Sequence, residues 1–216
     1  MENKQLPSVP DALIFDMDGT LWDGVQSYAD GFNDYFAKAG IRKRFAKDDL
    51  KAYMGLAEVP YLEKVLPEYA PEKRKAIYNE VIDFQYKRIK TDGGELYDGV
   101  RNGLEKLSEK YRLFVVSNCP PLTIRYFVEW AGIGHLFTDT IAHGENGKHK
   151  HENIQTLIDN YILQNPVYVG DTASDQKQSA LAGIPFAFVS YGFGQCENPD
   201  FRFNSFTELS DYFLGI

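Results

Sequence analysis

The chain has 216 residues, with 23 basic and 31 acidic side chains and a formal net charge of −8. Hydrophobic residues make up 44% of it and charged residues 25%, proportions that exclude disordered, collagen-like and coiled-coil proteins. A chain of this length buries about 70% of its unfolded surface on folding, and we expect one main domain with a small inserted one.

Five short apolar runs have the length and composition of buried strands, namely residues 12–15, 113–116, 140–142, 167–169 and 186–189. The run at 140–142 is the weakest of them. Helical periodicity lies between the runs, after Val100, after Ile154 and over residues 174–182. Strands that alternate with helices predict an α/β fold, a parallel Rossmann-like sheet with helices on both faces.

One connection is too long for a simple crossover between parallel strands. The polar residues that end the first two strands are 101 positions apart, whereas a βαβ unit needs about 30 residues or somewhat more. The intervening residues carry helical patterns and no run typical of a buried parallel strand. We therefore predict a small all-α cap domain at 21–95, inserted into a core domain formed by 1–20 and 96–216. Its linkers are expected at 21–24 and 92–96.

Polar and charged residues stand where the predicted strands end. In an open parallel sheet, ligands bind outside the carboxyl ends of the strands, so these residues are the candidates for a functional site. They are Asp16, Asp18 and Thr20 after the first strand, Ser117 and Asn118 after the second, and Asp171 and Asp175 after the 167–169 strand, with Lys150 just before a helix.

The residue types at this edge have the chemistry of phosphoryl transfer. Asp16 and Asp171 would repel each other if nothing compensated their charges, and a Mg²⁺ ion resolves that conflict because it prefers carboxylate and carbonyl oxygens. One carboxylate can attack phosphorus to form an aspartyl-phosphate, and Asp18, two residues further on, can serve as general acid and base. Ser117 and Lys150 can hold the non-bridging phosphate oxygens.

The same residues resemble the motifs of a known family. Residues 16–21, 116–118, Lys150 and 169–175 resemble, in order and spacing, the four motifs of the haloacid dehalogenase (HAD) superfamily. The helical insertion resembles the C1 cap of its phosphoglycolate phosphatase-like branch. The resemblance covers nearly the whole chain, and it implies a Mg²⁺-dependent phosphatase that hydrolyses a small phosphate monoester through an aspartyl-phosphate.

The resemblance also implies a role for each residue. Asp16 is expected to be the nucleophile and a Mg²⁺ ligand, and Asp18 the acid/base, with its backbone carbonyl on the metal. Asp171 is the third expected protein ligand, while Asp175 is expected to bind through water or, with Thr20, to orient the ligands. The residues expected to bind phosphate are Ser117, Asn118 and Lys150.

The segment 143–151 contains two lysines and three histidines that bear on the site. Lys148 and Lys150 both stand near the position of the family lysine, and the four-residue spacing from Lys150 to the first apolar residue of the next helix favours Lys150. No cysteine or matching carboxylate accompanies the three histidines, so we interpret them as surface loop residues rather than a metal site. They are His143, His149 and His151.

Other reactions of the superfamily fit less well. The dehalogenases lack the second aspartate, which this chain has in Asp18, and the phosphonoacetaldehyde hydrolases have another residue there. The β-phosphoglucomutases carry a lysine and an arginine around the cap glycine, whereas residues 54–58 have no basic side chain. A phosphomutase of that type and a non-catalytic binding module are the two alternatives. Residues 53–58 are expected to help choose the substrate, with phosphoglycolate, sugar phosphates and nucleotides all open.

The partners and location are expected from composition. No apolar run approaches the roughly 20 residues that span a bilayer, and the N-terminus has no signal-peptide core. The two cysteines form no disulfide framework. The acidic balance argues against nucleic acid. We therefore predict a cytoplasmic protein that acts on a small-molecule phosphate ester, without a membrane or an obligate protein partner.

Overall fold

The computed structural model describes residues 8–216. Its strands are β1 (Ala12–Phe15), β2 (Trp22–Asp23), β3 (Glu95–Leu96), β4 (Arg112–Ser117), β5 (Asp139–Ala142), β6 (Pro166–Gly170), β7 (Phe186–Val189) and β8 (Phe201–Phe203). Its α-helices are α1 (Val25–Lys38), α2 (Lys47–Lys51), α3 (Glu58–Val65), α4 (Pro71–Thr91), α5 (Val100–Ser108), α6 (Thr123–Ala131), α7 (His143–Asn146), α8 (Lys150–Tyr161), α9 (Ala173–Leu181) and α10 (Phe206–Gly215).

Six of the strands form one parallel sheet in the order β5-β4-β1-β6-β7-β8. All four residues of β1 are buried, because helices cover both faces of the sheet. In register, Leu13 of β1 lies between Leu113 of β4 and Val167 of β6. The chain builds the sheet outward from β1 in both directions, which makes the exit of β1 the switch point of the topology. The predicted α/β fold is confirmed.

The residues between β1 and β4 are largely helical. α1 packs along the 21-residue helix α4, and their contact is filled by aromatic side chains, with Phe32 stacked on Tyr78. The two connections to the sheet lie side by side, because β2 and β3 form a separate antiparallel pair in which Trp22 faces Leu96. The predicted linkers therefore touch each other. That residues 21–95 form a domain of their own stays a prediction.

The sequence located most core elements within one or two residues. The helix predicted at 174–182 runs from Ala173 to Leu181, since the Thr172 hydroxyl accepts a hydrogen bond from the Asp175 amide and fixes its start. β2, β3, β8, α6 and α10 were not predicted. The three strands among them have only two or three residues, too few for a periodic pattern. Within residues 8–216, no helix combines the length and apolarity needed to cross a bilayer.

Candidate active site

A tight turn carries the chain out of β1. The Asp16 amide donates to the carbonyl of Val169 at 2.8 Å, so that the sheet ladder extends to the first residue of the motif. Gly19 has a φ of +84°, and a side chain there would overlap the carboxylate of Asp171. The glycine is therefore required both by its backbone conformation and by the close approach of β1 to β6. This turn fixes Asp16 against the exit of the neighbouring strand.

Three carboxylates converge at this point. Asp16, Asp171 and Asp175 each place an oxygen within 4.8 Å of the others, and all three residues are buried. The ammonium nitrogen of Lys150 lies 3.1 Å from Asp16 Oδ1 and 2.7 Å from Asp175 Oδ1. Three negative charges and one positive charge are thus held out of water. Burial of unbalanced charge is costly, so the cluster needs further compensation.

The pKa values of the cluster reflect that cost. Burial, together with the charge of Asp175, raises the pKa of Asp16 to about 6 against the opposing effect of Lys150. Burial and the neighbouring carboxylates Asp175 and Asp16 raise the pKa of Asp171 well above its ordinary value. Burial alone would lower the pKa of Lys150, but the charges of Asp16 and Asp175 outweigh it and hold that pKa well above the usual value. The raised pKa values mean that Lys150 stays charged and that Asp16 and Asp171 resist ionisation.

The cluster fits a divalent cation. Asp16 Oδ1 is buried and receives no hydrogen bond; its close polar neighbour is the Lys150 ammonium. Other oxygens are oriented from behind, with Asp171 Oδ2 accepting from the Phe193 amide at 2.7 Å and Asp171 Oδ1 from the Thr20 hydroxyl at 3.3 Å. Buried hard oxygens with a net charge of −2 match the ligand preference of Mg²⁺-like ions. These residues could hold a metal ion.

Asp175 and Asp18 are placed differently relative to the acidic cluster. One oxygen of Asp175 lies within the acidic cluster itself, while its Oδ2 accepts from the amide and hydroxyl of Thr172 at 3.1 and 2.6 Å. The carboxylate of Asp18 is not among the clustered oxygens. Its predicted contact with the metal was through the backbone carbonyl, which stays a prediction.

The Asp18 carboxylate is held by two aromatic residues. Asp18 Oδ1 accepts hydrogen bonds from Trp22 Nε1 at 3.1 Å and from the Tyr28 hydroxyl at 2.9 Å. Burial and the charge of Asp16 nevertheless raise the pKa of Asp18 to about 7. Trp22 belongs to β2 and Tyr28 to α1, so the inserted segment orients this carboxyl group. Neither contact could be predicted from the sequence, because Tyr28 and Trp22 both lie outside the motifs and nothing in the neighbouring residues indicates a bond to Asp18.

The remaining predicted residues face the same region. Ser117 ends β4 and lines a pocket with Asp16, Asp18 and Asn118. The Asn118 amide donates to the carbonyl of Gly55 at 3.1 Å, which ties the core to the inserted segment. Lys150 is buried at the first turn of α8, with its ammonium in the acidic cluster.

The lysine and histidine predictions for 143–151 have different outcomes. Lys148 is exposed and its ammonium lies 3.4 Å from the Thr156 hydroxyl, away from the cluster that Lys150 joins. The interpretation of the histidines as surface loop residues is wrong for His143, which begins α7 and lines the pocket, and for His151, which lies within α8. His149 is the exposed residue before α8, and His151 within α8 is half-buried against Gln178. Within residues 8–216, no metal-like cluster includes a histidine.

The pocket lies between the core and the inserted helices. Asp16 and Asp18 line it together with Ser117 and Asn118 from the core side. On the other side, most of the segment 53–58 lines it, as the sequence predicted for a substrate-choosing region, and α3 and α4 contribute further residues.

Comparison with known proteins agrees with this geometry. A family model described as haloacid dehalogenase-like hydrolase matches residues 13–189. Phosphoglycolate phosphatases are similar over most of the chain: that of Psychrobacter arcticus is 25% identical, covering 94% of this chain and 95% of its own length. That of Rhodobacter capsulatus is 26% identical, covering 84% of this chain and 85% of its own.

Solved structures share the fold. A haloacid dehalogenase-like hydrolase from Streptococcus pneumoniae superposes with a TM-score of 0.81 at 21% identity, covering 95% of this chain and 99% of its own. A predicted phosphoglycolate phosphatase from Haemophilus somnus superposes with a TM-score of 0.82 at 20% identity and the same coverage. With the match of the family model over most of the sequence, the prediction of a hydrolase is confirmed: the chain belongs to the haloacid dehalogenase-like hydrolases and, within them, is similar to the phosphoglycolate phosphatases.

Proposed function

We propose that the protein is a Mg²⁺-dependent phosphatase that hydrolyses a small phosphate monoester through an aspartyl-phosphate on Asp16. The observation that carries the proposal is the buried Asp16 carboxylate, which lies among Asp171, Asp175 and Lys150 and whose Oδ1 has an ion-pair contact with the Lys150 ammonium at 3.1 Å. A carboxylate in this state is available both to a cation and to an electrophilic phosphorus.

The proposed reaction has two steps. An Asp16 oxygen attacks phosphorus, while Asp18 gives a proton to the leaving oxygen. A water then attacks the aspartyl-phosphate as Asp18 takes its proton, which releases phosphate and restores Asp16. The pKa of Asp18, about 7, suits a group that must both give and take a proton near neutral pH.

The other residues have supporting roles in the proposal. Ser117, Asn118 and Lys150 bind the non-bridging oxygens of the phosphate, and the oxygens of Asp16 and Asp171 with the Asp18 carbonyl hold Mg²⁺. When bound, the ion neutralises charge on the phosphate and on Asp16 so that the two can approach. Thr20 and Asp175 orient these groups through their contacts with Asp171 and Lys150. The inserted residues 21–95 act as a cap that limits water access.

The substrate and the setting are less constrained. The names of the similar proteins make phosphoglycolate the first compound to test on this chain, beside sugar phosphates and nucleotides. A phosphomutase would use the same groups but pass the phosphoryl group to a sugar. A binding module would use none of them chemically. We retain the prediction of a cytoplasmic enzyme that needs no protein partner.

Hydrolysis of p-nitrophenyl phosphate tests the proposal without knowledge of the natural substrate. We expect phosphate release with Mg²⁺ and its loss in EDTA. Phosphate release that is unaffected by EDTA would contradict the metal dependence. No release from this or any other ester, with transfer of the phosphoryl group to a sugar acceptor instead, would support the phosphomutase. If the protein neither releases phosphate nor transfers the phosphoryl group, the binding module is supported.

A further inference from the structure

The cap side of the pocket carries an unusual set of side chains. Glu58, Tyr61, Tyr78 and Gln85 line it from α3 and α4, and the last three are 8%, 6% and 4% exposed. Among the described residues that line this pocket, there is no lysine and no arginine. The ammonium of Lys150 lies behind Asp16, in contact with Asp16 and Asp175, at the end where phosphate binds.

Polar atoms on this wall are available to a ligand. The Tyr28 hydroxyl is engaged by Asp18, but those of Tyr61 and Tyr78 make no hydrogen bond within residues 8–216. Their ring centroids are 5.9 Å apart, so the two side chains offer adjacent hydroxyls beside apolar ring surface. The Gln85 amide donates to the Tyr28 carbonyl at 3.3 Å, which anchors the side chain and leaves its oxygen free to accept. Because these residues line the pocket and the atoms have no protein partner in the described residues, they can form hydrogen bonds with the hydroxyls of a ligand.

The wall carries one acidic side chain and offers no lysine or arginine to the pocket among its described residues. The Glu58 carboxylate lines the pocket and is paired with Lys75, which lies on the solvent side. Asp18 supplies a second carboxyl group nearby, and the imidazole of His143 is the one basic side chain that lines the pocket in the described residues. A carboxylate on the substrate would lose its hydration here, and no lysine or arginine among the described lining residues is placed to pair with it. The wall therefore disfavours leaving groups that carry a carboxylate.

We propose that the natural leaving group is uncharged and carries hydroxyls, as in a polyol phosphate or a sugar phosphate, and that phosphoglycolate is a poor substrate. Hydroxyls can donate to Glu58 and to Gln85 Oε1 and accept from Tyr61 and Tyr78, while C–H edges pack on the tyrosine rings. This inference rests on the proposed phosphatase function. It adds the substrate class and assigns specificity to residues outside the family motifs.

Two matched pairs of substrates test the inference on the unmodified protein. Glycerol 3-phosphate and 3-phosphoglycerate differ by a hydroxymethyl group against a carboxylate, and 2-hydroxyethyl phosphate and phosphoglycolate differ in the same way. With Mg²⁺ present, we expect kcat/KM for each neutral member to exceed that for its carboxylate partner by about 10-fold or more. A tenfold ratio corresponds to a difference of only about 1.4 kcal/mol in transition-state binding.

Variants show which side chains discriminate between neutral substrates and substrates with a carboxylate. We expect Tyr61→Phe and Tyr78→Phe each to lower kcat/KM for glycerol 3-phosphate, relative to p-nitrophenyl phosphate, by about 3- to 10-fold. Glu58→Gln should raise kcat/KM for 3-phosphoglycerate and so reduce the difference in kcat/KM between glycerol 3-phosphate and 3-phosphoglycerate. Tyr35→Phe is the matched control, because Tyr35 is a half-buried cap tyrosine outside the pocket, and it should alter neither ratio.

The outcomes separate the two proposals. Release of phosphate from p-nitrophenyl phosphate, with kcat/KM equal within each pair or higher for the acidic member, would overturn the substrate class and leave the phosphatase intact. Unchanged ratios in both Tyr61→Phe and Tyr78→Phe would remove these residues from the specificity assignment. No release of phosphate from any ester would overturn the proposed function, and the substrate class with it.

Discussion

The two walls of the pocket are built from different chemistry. The core wall includes Asp16, Asp18, Ser117 and Asn118, and directly behind it the buried ammonium of Lys150 lies 3.1 Å from Asp16 and 2.7 Å from Asp175. The cap wall holds tyrosines and an amide that have unused hydrogen-bonding atoms, together with the paired carboxylate of Glu58. The core wall suits a dianionic phosphate and a metal ion. The cap wall suits a neutral leaving group with hydroxyls.

This difference separates residues that any chain with this fold would bring together from residues that are particular to this protein. The core wall comes from residues that directly follow strands, so the topology of the sheet brings them together in any chain with this pattern. The cap wall comes from the faces of α3 and α4, which can change without disturbing the sheet. In the proposed function, the core therefore supplies the groups that react, and we propose that the inserted helices set the selectivity.

The largest effect is expected from the core wall. Asp16→Asn removes the nucleophile, so phosphate release with Mg²⁺ should fall by more than about 10³-fold in kcat. Asp159→Asn is the matched control, because Asp159 is an exposed aspartate of α8 that accepts a hydrogen bond from Gln155, and its activity should equal that of the unmodified protein. A steady-state assay of released phosphate measures both. Activity of Asp16→Asn within a few-fold of the control would exclude Asp16 as the nucleophile.

The junction of the walls should show an intermediate effect. Tyr28 belongs to the cap but donates to Asp18, so Tyr28→Phe leaves Trp22 as the remaining side-chain donor to that carboxyl group. A hydrogen bond to a charged group contributes about 1.5–3 kcal/mol, and we expect kcat to fall by about 10-fold with a smaller change in KM. Tyr35→Phe, on the same helix, serves as the control. An unchanged kcat would show that the cap does not orient the acid/base.

Two glycines that each follow a helix can be compared, Gly93 in the second linker and Gly40 after α1. Gly93 and Gly40 have φ values of +71° and +69°, so alanine strains both backbones equally. A side chain at Gly93 would overlap the ring of Trp130, whereas none of the described atoms lies within 4 Å at Gly40. Chemical denaturation should show that alanine at Gly40 lowers the free energy of unfolding by about 1 kcal/mol. Alanine at Gly93 should lower it by about 1–3 kcal/mol more. Equal losses would mean that the linker is not tightly packed against α6.

Charge in the core wall should make metal-free stability depend on pH. Asp16 and Asp18 have pKa values of about 6 and about 7, above the ordinary 3.8, so the folded chain holds their protons more tightly than the unfolded chain. The stability they contribute is present below about pH 4 and is lost as the pH rises through 6 to 7. In EDTA, Tm should therefore fall by a few degrees between about pH 5 and pH 8.

Two comparisons attribute that fall to the site. Mg²⁺ should raise Tm most at the higher pH, because the ion offsets the ionised carboxylates. Asp16→Asn should show a shallower decline in EDTA, because one of the titrating groups is gone and the repulsion on Asp18 is smaller. The same slope in Asp16→Asn and in the unmodified protein would show that other groups cause the dependence.

Chain order and the buried strands were enough to predict the core wall. The exits of β1, β4 and β6 meet because the strands are parallel neighbours, which places Asp16, Ser117 and Asp171 together without knowledge of any angle. The preference for Lys150 over Lys148 came instead from the family resemblance, which implies a lysine four residues before the first apolar residue of the helix. These inferences depend on local patterns and on one rule of topology.

The contacts that the sequence did not predict depend on packing between distant segments. The pairing of β2 with β3 joins residues far apart in the chain, and the hydrogen bonds of Trp22 and Tyr28 to Asp18 depend on how that pair is oriented. His143 was assigned to a surface loop because no cysteine or matching carboxylate accompanies it, yet it begins α7 and lines the pocket. Such contacts have no period and no motif, so they become visible only in three dimensions.

A burst experiment on Asp18→Asn shows whether Asp16 attacks phosphorus. p-Nitrophenolate leaves without a proton, so this variant should still transfer the phosphoryl group to Asp16 but hydrolyse the product slowly for lack of a base. We predict a rapid burst of one p-nitrophenolate per chain, followed by slow release, and one phosphoryl group located on Asp16 by mass spectrometry after acid quenching. Linear release without a burst, or a phosphoryl group on another residue, would show that Asp16 is not the nucleophile.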